Sequence, residues 1–151
     1  MEHILIGTDG SPDAAAAVTE GLGLAKLLGA HVTFVSVRSG TAPLGEPFYG
    51  EHLSEQLARA RAALDAAKAE AERLGVPAET EILEGRPADS ILQLAESREA
   101  DLIVVGSRGL GAIAGALLGS VSRRLVQHSP IPVLVVKERT AAEHRDSAAA
   151  A

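Results

Sequence analysis

Two short segments rich in glycine and hydroxyl residues hold the chemistry this sequence offers. Gly106-Ser107-Arg108-Gly109-Leu110-Gly111 follows an apolar run, and Gly119-Ser120-Val121-Ser122 opens a helical pattern after an apolar loop. Such residues suit an anion. Glycine at a strand exit lets backbone approach a ligand closely, and a helix N-terminus offers N–H groups together with the positive end of its dipole. Ser120 and Ser122 add hydroxyl donors, so a triphosphate can be wrapped largely by neutral groups. That matters because the chain carries a formal charge of −6, from 14 basic and 20 acidic residues, and must hold any anion locally. Arg108 lies inside the loop within reach of a phosphate, although an arginine on a surface loop is ordinarily just solvated.

A second group, Gly7-Thr8-Asp9, closes the first apolar run. Open α/β sheets take ligands at the carboxyl ends of their strands, where the winding direction reverses. If the first and fourth runs are the adjacent central strands, Asp9 faces the same crevice as the glycine loop. A carboxylate there does not favour phosphate oxygens. It suits hydrogen bonds from ribose or adenine, and less well a divalent cation. The competing reading of Asp9 is a turn residue ahead of Ser11-Pro12, and that of Ser120 is an N-cap, whose geometry is compatible with phosphate binding.

Other chemistries fail on spacing. No glycine is followed by Lys and a hydroxyl residue, as a P-loop requires. The dinucleotide fingerprint belongs after the first strand, whereas Gly109-Leu110-Gly111 follows the fourth run and Gly115 comes one position too late. His3, His31, His52, His128 and His144 show no paired spacing on one helix face and read as structural or exposed. No Ser-His-Asp set or acid pair stands out, so no catalytic residue is named and no metal-ligating residue is assigned.

The elements that must position these residues alternate along the chain. Apolar runs at 4–7, 32–37, 79–83, 101–105 and 133–136 are separated by helical patterns from Ser11-Pro12 to Leu28-Gly29, from about His52 to Leu74, from Pro87 to about Arg98, and from Ser120 to about His128. This order predicts an α/β fold, an open parallel sheet with right-handed crossovers and helices on both faces. Alternating charge in the third run and Pro130 and Pro132 before the fifth place those two at edges. Residues 39–50 form a long loop suited to a lid. One domain spans residues 1–137, and 138–151, ending in poly-alanine, reads as a disordered tail.

Composition bounds the setting. The hydrophobic fraction of 46% is aliphatic, with Phe34, Phe48 and Tyr49 as the aromatics and no Trp, which suits a helix-covered parallel sheet. There is no cysteine, which excludes disulfides and thiolate chemistry. The start from Met1 to Ile6 lacks the basic region of a signal peptide, and no run reaches membrane-spanning length, so a cytoplasmic protein with no membrane association is expected. The acidic balance and scarce aromatics argue against nucleic acid as a partner.

At this point the residues resemble a known family, the universal stress proteins, and within it the ATP-binding branch. That branch's signature, G-x2-G-x9-G-[S/T], is matched by Gly106, Gly109, Gly119 and Ser120, between Asp-Leu-Ile-Val-Val-Gly and Pro-Val-Leu-Val-Val-Lys; the opening Ile-Leu-Ile-Gly-Thr-Asp-Gly-Ser also looks like the family's first strand and turn. The resemblance spans Ile4 to Lys137. It implies a Rossmann-like sheet of order 3-2-1-4-5, ATP with Mg²⁺ across the first and fourth strands, and a homodimer through the fifth strand, residues 131–137. Carried over by position, Gly106, Gly109, Gly119, Ser120 and Val121 contact phosphates with Ser122 close by, and Gly7, Thr8, Asp9 and Val37 surround adenine and ribose. Gly7 departs from the family, where proline is frequent. The function implied is a nucleotide-dependent stress-response or signalling module with an unknown signalling partner. The alternatives are a slow ATPase or phosphotransferase and a dimeric interaction protein that binds no nucleotide.

Overall fold

The computed structural model describes residues 1–40, 49–109 and 114–139. The elements run β1 (His3–Gly7), α1 (Pro12–Leu28), β2 (His31–Arg38), α2 (Tyr49–Leu74), β3 (Ala78–Glu84), α3 (Pro87–Ser97), β4 (Leu102–Gly106), α4 (Ser120–His128) and β5 (Val133–Val136). All neighbouring strands are parallel, in the order β3-β2-β1-β4-β5. The expected fold class and strand order are therefore observed, with β3 and β5 at the edges.

Local chemistry sets the helix ends. The Ser11 hydroxyl accepts the Ala14 N–H (3.3 Å), Pro12 takes the first helical turn, and Gly29 at φ 67° closes α1 in the left-handed region. Helix α2 begins at Tyr49, ahead of the expected His52; Gly50 looks like a loop residue, yet it sits in the first turn, where the Ser54 hydroxyl donates to its carbonyl (2.9 Å).

Side chains alternate across the sheet and bury on both faces. Ile4, Ile6, Val32, Phe34, Leu102 and Val104 pack under α1 and α2, while Leu5, Val35, Ile103 and Val105 pack under α3 and α4. Strands covered on both faces need continuous apolar runs, and β1 and β4 have them. At the amino ends of the strands the buried His3 ring stacks on His31, with centroids 4.1 Å apart. Its Nδ1–H donates to the Arg98 carbonyl (3.0 Å), leaving Nε2 to accept from the Thr33 hydroxyl (2.8 Å) in the neutral ring. Here histidine serves structure.

The lid reading of the 39–50 loop rests mostly on 41–48, and Leu110, Gly111 and residues 140–151 likewise lie outside the described residues. Among the described residues no helix is long and apolar enough to cross a membrane.

Candidate functional site

The carboxyl ends of β1 and β4 open into a cleft of about 900 Å³, within the size range of small-molecule sites. It lies where the chain's winding reverses, because β1 pairs with β2 on one side and with β4 on the other. Gly7, Thr8, Asp9, Val37, Gly106, Arg108, Gly109, Gly119, Ser120, Val121 and Ser122 all line it. The structure thus brings these eleven residues, expected at the site from the sequence and the resemblance, to one cleft. Ser39, Gln56, Pro87 and Ile91 also line the cleft and carry no sequence signal that marks them.

One end of the cleft is apolar, walled by Val35, Val37, Ile91 and Val105. Gly7 matters there because a Cβ at that position would lie 3.0 Å from Val105 Cγ1. The turn after β1 is held by the Thr8 N–H donating to the Val35 carbonyl (2.9 Å) and the Ser11 N–H donating to Asp9 Oδ1 (2.9 Å). Asp9 therefore does serve the turn, and it faces the cleft as well.

The other end is built from backbone. Gly119 is the N-cap of α4, with φ −75° and ψ 172°, and among the described residues no side chain caps it. Ser120 is accordingly the first helical residue, not the cap, and it is exposed at the cleft. A helix N-terminus without a capping side chain presents donors and positive dipole to whatever occupies the space before it. The hydroxyl of Ser122 is directed elsewhere: 2% exposed, it donates to the Ser107 carbonyl at 2.7 Å. The same carbonyl accepts the Gly119 N–H at 2.6 Å. Ser122 thus offers an anion its backbone position more than the hydroxyl donor read from sequence.

Gly106 has a packing reason of its own. A Cβ there would fall 2.7 Å from the backbone carbon of Asp13 and 2.8 Å from the Ala14 nitrogen, so only glycine lets the start of α1 lie against the exit of β4. At Gly109 a Cβ would meet Asp9 Oδ2 at 2.7 Å, which keeps the loop close to the β1 turn.

The residue that sequence reasoning missed is Asp13. It is buried, accepts from the Ser107 hydroxyl (2.6 Å), the Arg108 N–H (3.2 Å) and the Glu138 N–H (2.9 Å), and has Arg108 Nε 3.9 Å away. Burial by itself would raise its pKa, but these hydrogen bonds and the Arg108 charge outweigh it and hold the carboxyl below its ordinary value. Its only local signal is an acid in the first turn of a helix. Glu138, expected to begin the tail, is tied to the domain by this contact.

An open parallel sheet of order β3-β2-β1-β4-β5, with helices on both faces and a helix N-terminus at its switch point, defines an α/β protein of the Rossmann-like kind. Residues 1–137 match the model of the universal stress protein family. A protein of Thermus aquaticus, described as a universal stress protein in a QAH/OAS sulfhydrylase 3′ region, is 43% identical over 140 residues, 91% of this chain and 99% of the relative. Among solved structures, universal stress protein UspA from Lactobacillus plantarum is 31% identical with a TM-score of 0.77, over 89% of this chain and 97% of that one. Another, a universal stress protein in complex with cAMP, is 30% identical with a TM-score of 0.64, over 91% and 98%. The chain belongs to the universal stress protein family.

Proposed function

We propose that this protein binds an adenine nucleotide in the cleft, specifically ATP with Mg²⁺ carried on the phosphates, and acts in the cytoplasm as a nucleotide-dependent stress-response or signalling module. The observation that carries the reading is the convergence of an uncapped α4 N-terminus, the β4 exit loop and the Gly7–Asp9 turn on one cleft. Gly106, Gly109, Gly119, Ser120 and Val121 would contact the phosphates, with Ser122 behind them and Arg108 beside the terminal charge. Gly7, Thr8, Asp9 and Val37 would surround base and ribose, against the apolar wall of Ile91 and Val105. The relative in complex with cAMP supports an adenine nucleotide as the ligand class. The family resemblance supports ATP and a homodimer formed through β5.

The test is mass spectrometry of whatever the freshly purified protein releases on denaturation, followed by calorimetric titration with Mg²⁺-ATP. ATP or ADP in the released fraction, and micromolar uptake lost in Gly109→Ala with Gly119→Ala, is the expected result. No released nucleotide and no heat overturns the reading and favours the interaction protein that binds no nucleotide. Production of ADP or AMP at a rate dependent on Mg²⁺ favours the enzyme.

A further inference from the structure

Three parts of the chain that are remote in sequence meet on one carboxylate. Asp13 Oδ2 takes the Ser107 hydroxyl and the Arg108 N–H from the loop leaving β4, and Oδ1 takes the Glu138 N–H from the chain leaving β5. A parallel tie runs beside it, the Ser107 N–H donating to the Val136 carbonyl at 2.7 Å. Gly106 is the matching half of the device, since a Cβ there would lie 2.9 Å from Asp13 Cβ.

The chemistry of this joint is specific to a carboxylate. Both oxygens act as acceptors and both are used, one on each exit segment. An asparagine would turn its NH₂ against either the Arg108 N–H or the Glu138 N–H, leaving donor facing donor in a half-buried place. The joint also directs the acid's lone pairs at protein donors, which limits the repulsion a carboxylate would otherwise exert on a nearby phosphate.

We infer that Asp13 is a positioning residue that sets the Ser107–Arg108 backbone to receive phosphate and locks the exit of β5 to it, so that ligand in the loop is registered at Glu138. The inference rests on the nucleotide reading above. Linkage makes it reciprocal: if occupancy of the loop steadies the β5 exit, steadying that exit tightens the loop's hold on its ligand.

The experiment is amide hydrogen exchange by NMR on the wild-type protein, Asp13→Asn and Ser107→Ala, without ligand and with ATP, beside titrations with ATP and adenosine. In the wild type, ATP should slow exchange at the Glu138 amide by roughly fivefold or more. Asp13→Asn should abolish that slowing and weaken ATP by roughly tenfold, while adenosine, which has no phosphate to seat, changes by less than about twofold. Ser107→Ala keeps the Asp13–Glu138 contact and removes one loop donor; it should weaken ATP and reduce the slowing, and it carries the test alone if Asp13→Asn does not fold. Unchanged ATP affinity in the variants, equal losses for ATP and adenosine, or Glu138 exchange indifferent to ATP in the wild type each overturn the inference. A wild-type protein that takes up no ATP brings down the nucleotide reading and this inference with it, and that outcome is seen before any substitution is made.

Discussion

The hydroxyl of Ser122 donates to the carbonyl of Ser107 at 2.7 Å, across 15 positions of sequence, and so fastens the first turn of α4 to the loop leaving β4. Replacing Ser122 with alanine deletes one buried hydrogen bond but leaves the Ser107 carbonyl its Gly119 partner. A stability loss of about 1 kcal/mol is expected, read as a lower urea midpoint at unchanged slope. No loss would mean that the Gly119 bond alone holds the joint.

Two glycines of the same loop should separate folding from binding. Gly106→Ala drives a Cβ into α1 backbone, which cannot step aside, and should cost about 2–3 kcal/mol. Gly109→Ala meets only the end of the Asp9 side chain, whose displacement strains the Ser11 N–H bond but no backbone, so this variant should lose less stability than Gly106→Ala and lose ATP affinity instead. Thermal unfolding and calorimetry on the pair provide the comparison; equal stability losses would contradict it.

Ser120 is the first residue of α4 and lines the cleft. If its hydroxyl contacts phosphate, Ser120→Ala should weaken ATP by about 1 kcal/mol without moving the urea midpoint. Unchanged affinity would leave the phosphate to backbone groups alone.

Stability should depend on pH through His3. Burial lowers its pKa beneath 6.5, only partly countered by the Arg98 carbonyl, and neighbouring His31 and Arg98 push the same way as burial. Below that value the unfolded chain takes up a proton that the folded chain refuses, so stability is complete above the unfolded pKa and declines as pH falls beneath it. Asp13 and Asp101, whose pKa values lie below 3.8, lose their contributions only in stronger acid. The urea midpoint should therefore fall between about pH 7 and 5 in the wild type and stay flatter in His3→Gln, whose amide can serve both the Arg98 carbonyl and Thr33. Matching profiles would remove His3 from the account.

The β5 edge should support the dimer. Leu134 lies on that strand and is 38% exposed. Leu134→Arg should shift sedimentation from dimer to monomer, since a buried guanidinium without a partner is costly. A wild-type protein that sediments as a monomer would dispose of the dimer.

Much of the fold was legible because the signals were local. Ser11, Pro12 and Gly29 delimit α1, and the apolar runs of β1 and β4 read as strands buried on both faces. The strand order was not local: it followed from the family resemblance, because helix-covered parallel strands of similar composition do not announce their neighbours. Glycine spacing and the switch-point rule pointed to Gly106, Gly109, Gly119, Ser120 and the Gly7–Asp9 turn, while Val37 and Val121 came from the resemblance; Gly106 was credited to ligand approach when helix packing also demands glycine there. Asp13 was illegible because its partners Ser107 and Glu138 lie 94 and 125 positions away, so no window along the chain contains the contact.

The pairing of β1 with β4, Ile4 against Leu102, has a consequence for how the molecule is made. A ribosome delivers β1 and β2 early, and they can pair at once, but the other edge of β1 waits for a strand nearly a hundred residues later. At typical elongation rates that interval is roughly 5–20 seconds. During it Ile4, Leu5 and Ile6 lack their β4 neighbours Leu102, Ile103 and Val104, and the cleft has only one of its two walls. The nascent chain is thus most exposed to aggregation before it can hold any ligand, and a factor shielding β1 during synthesis would protect it where nucleotide cannot.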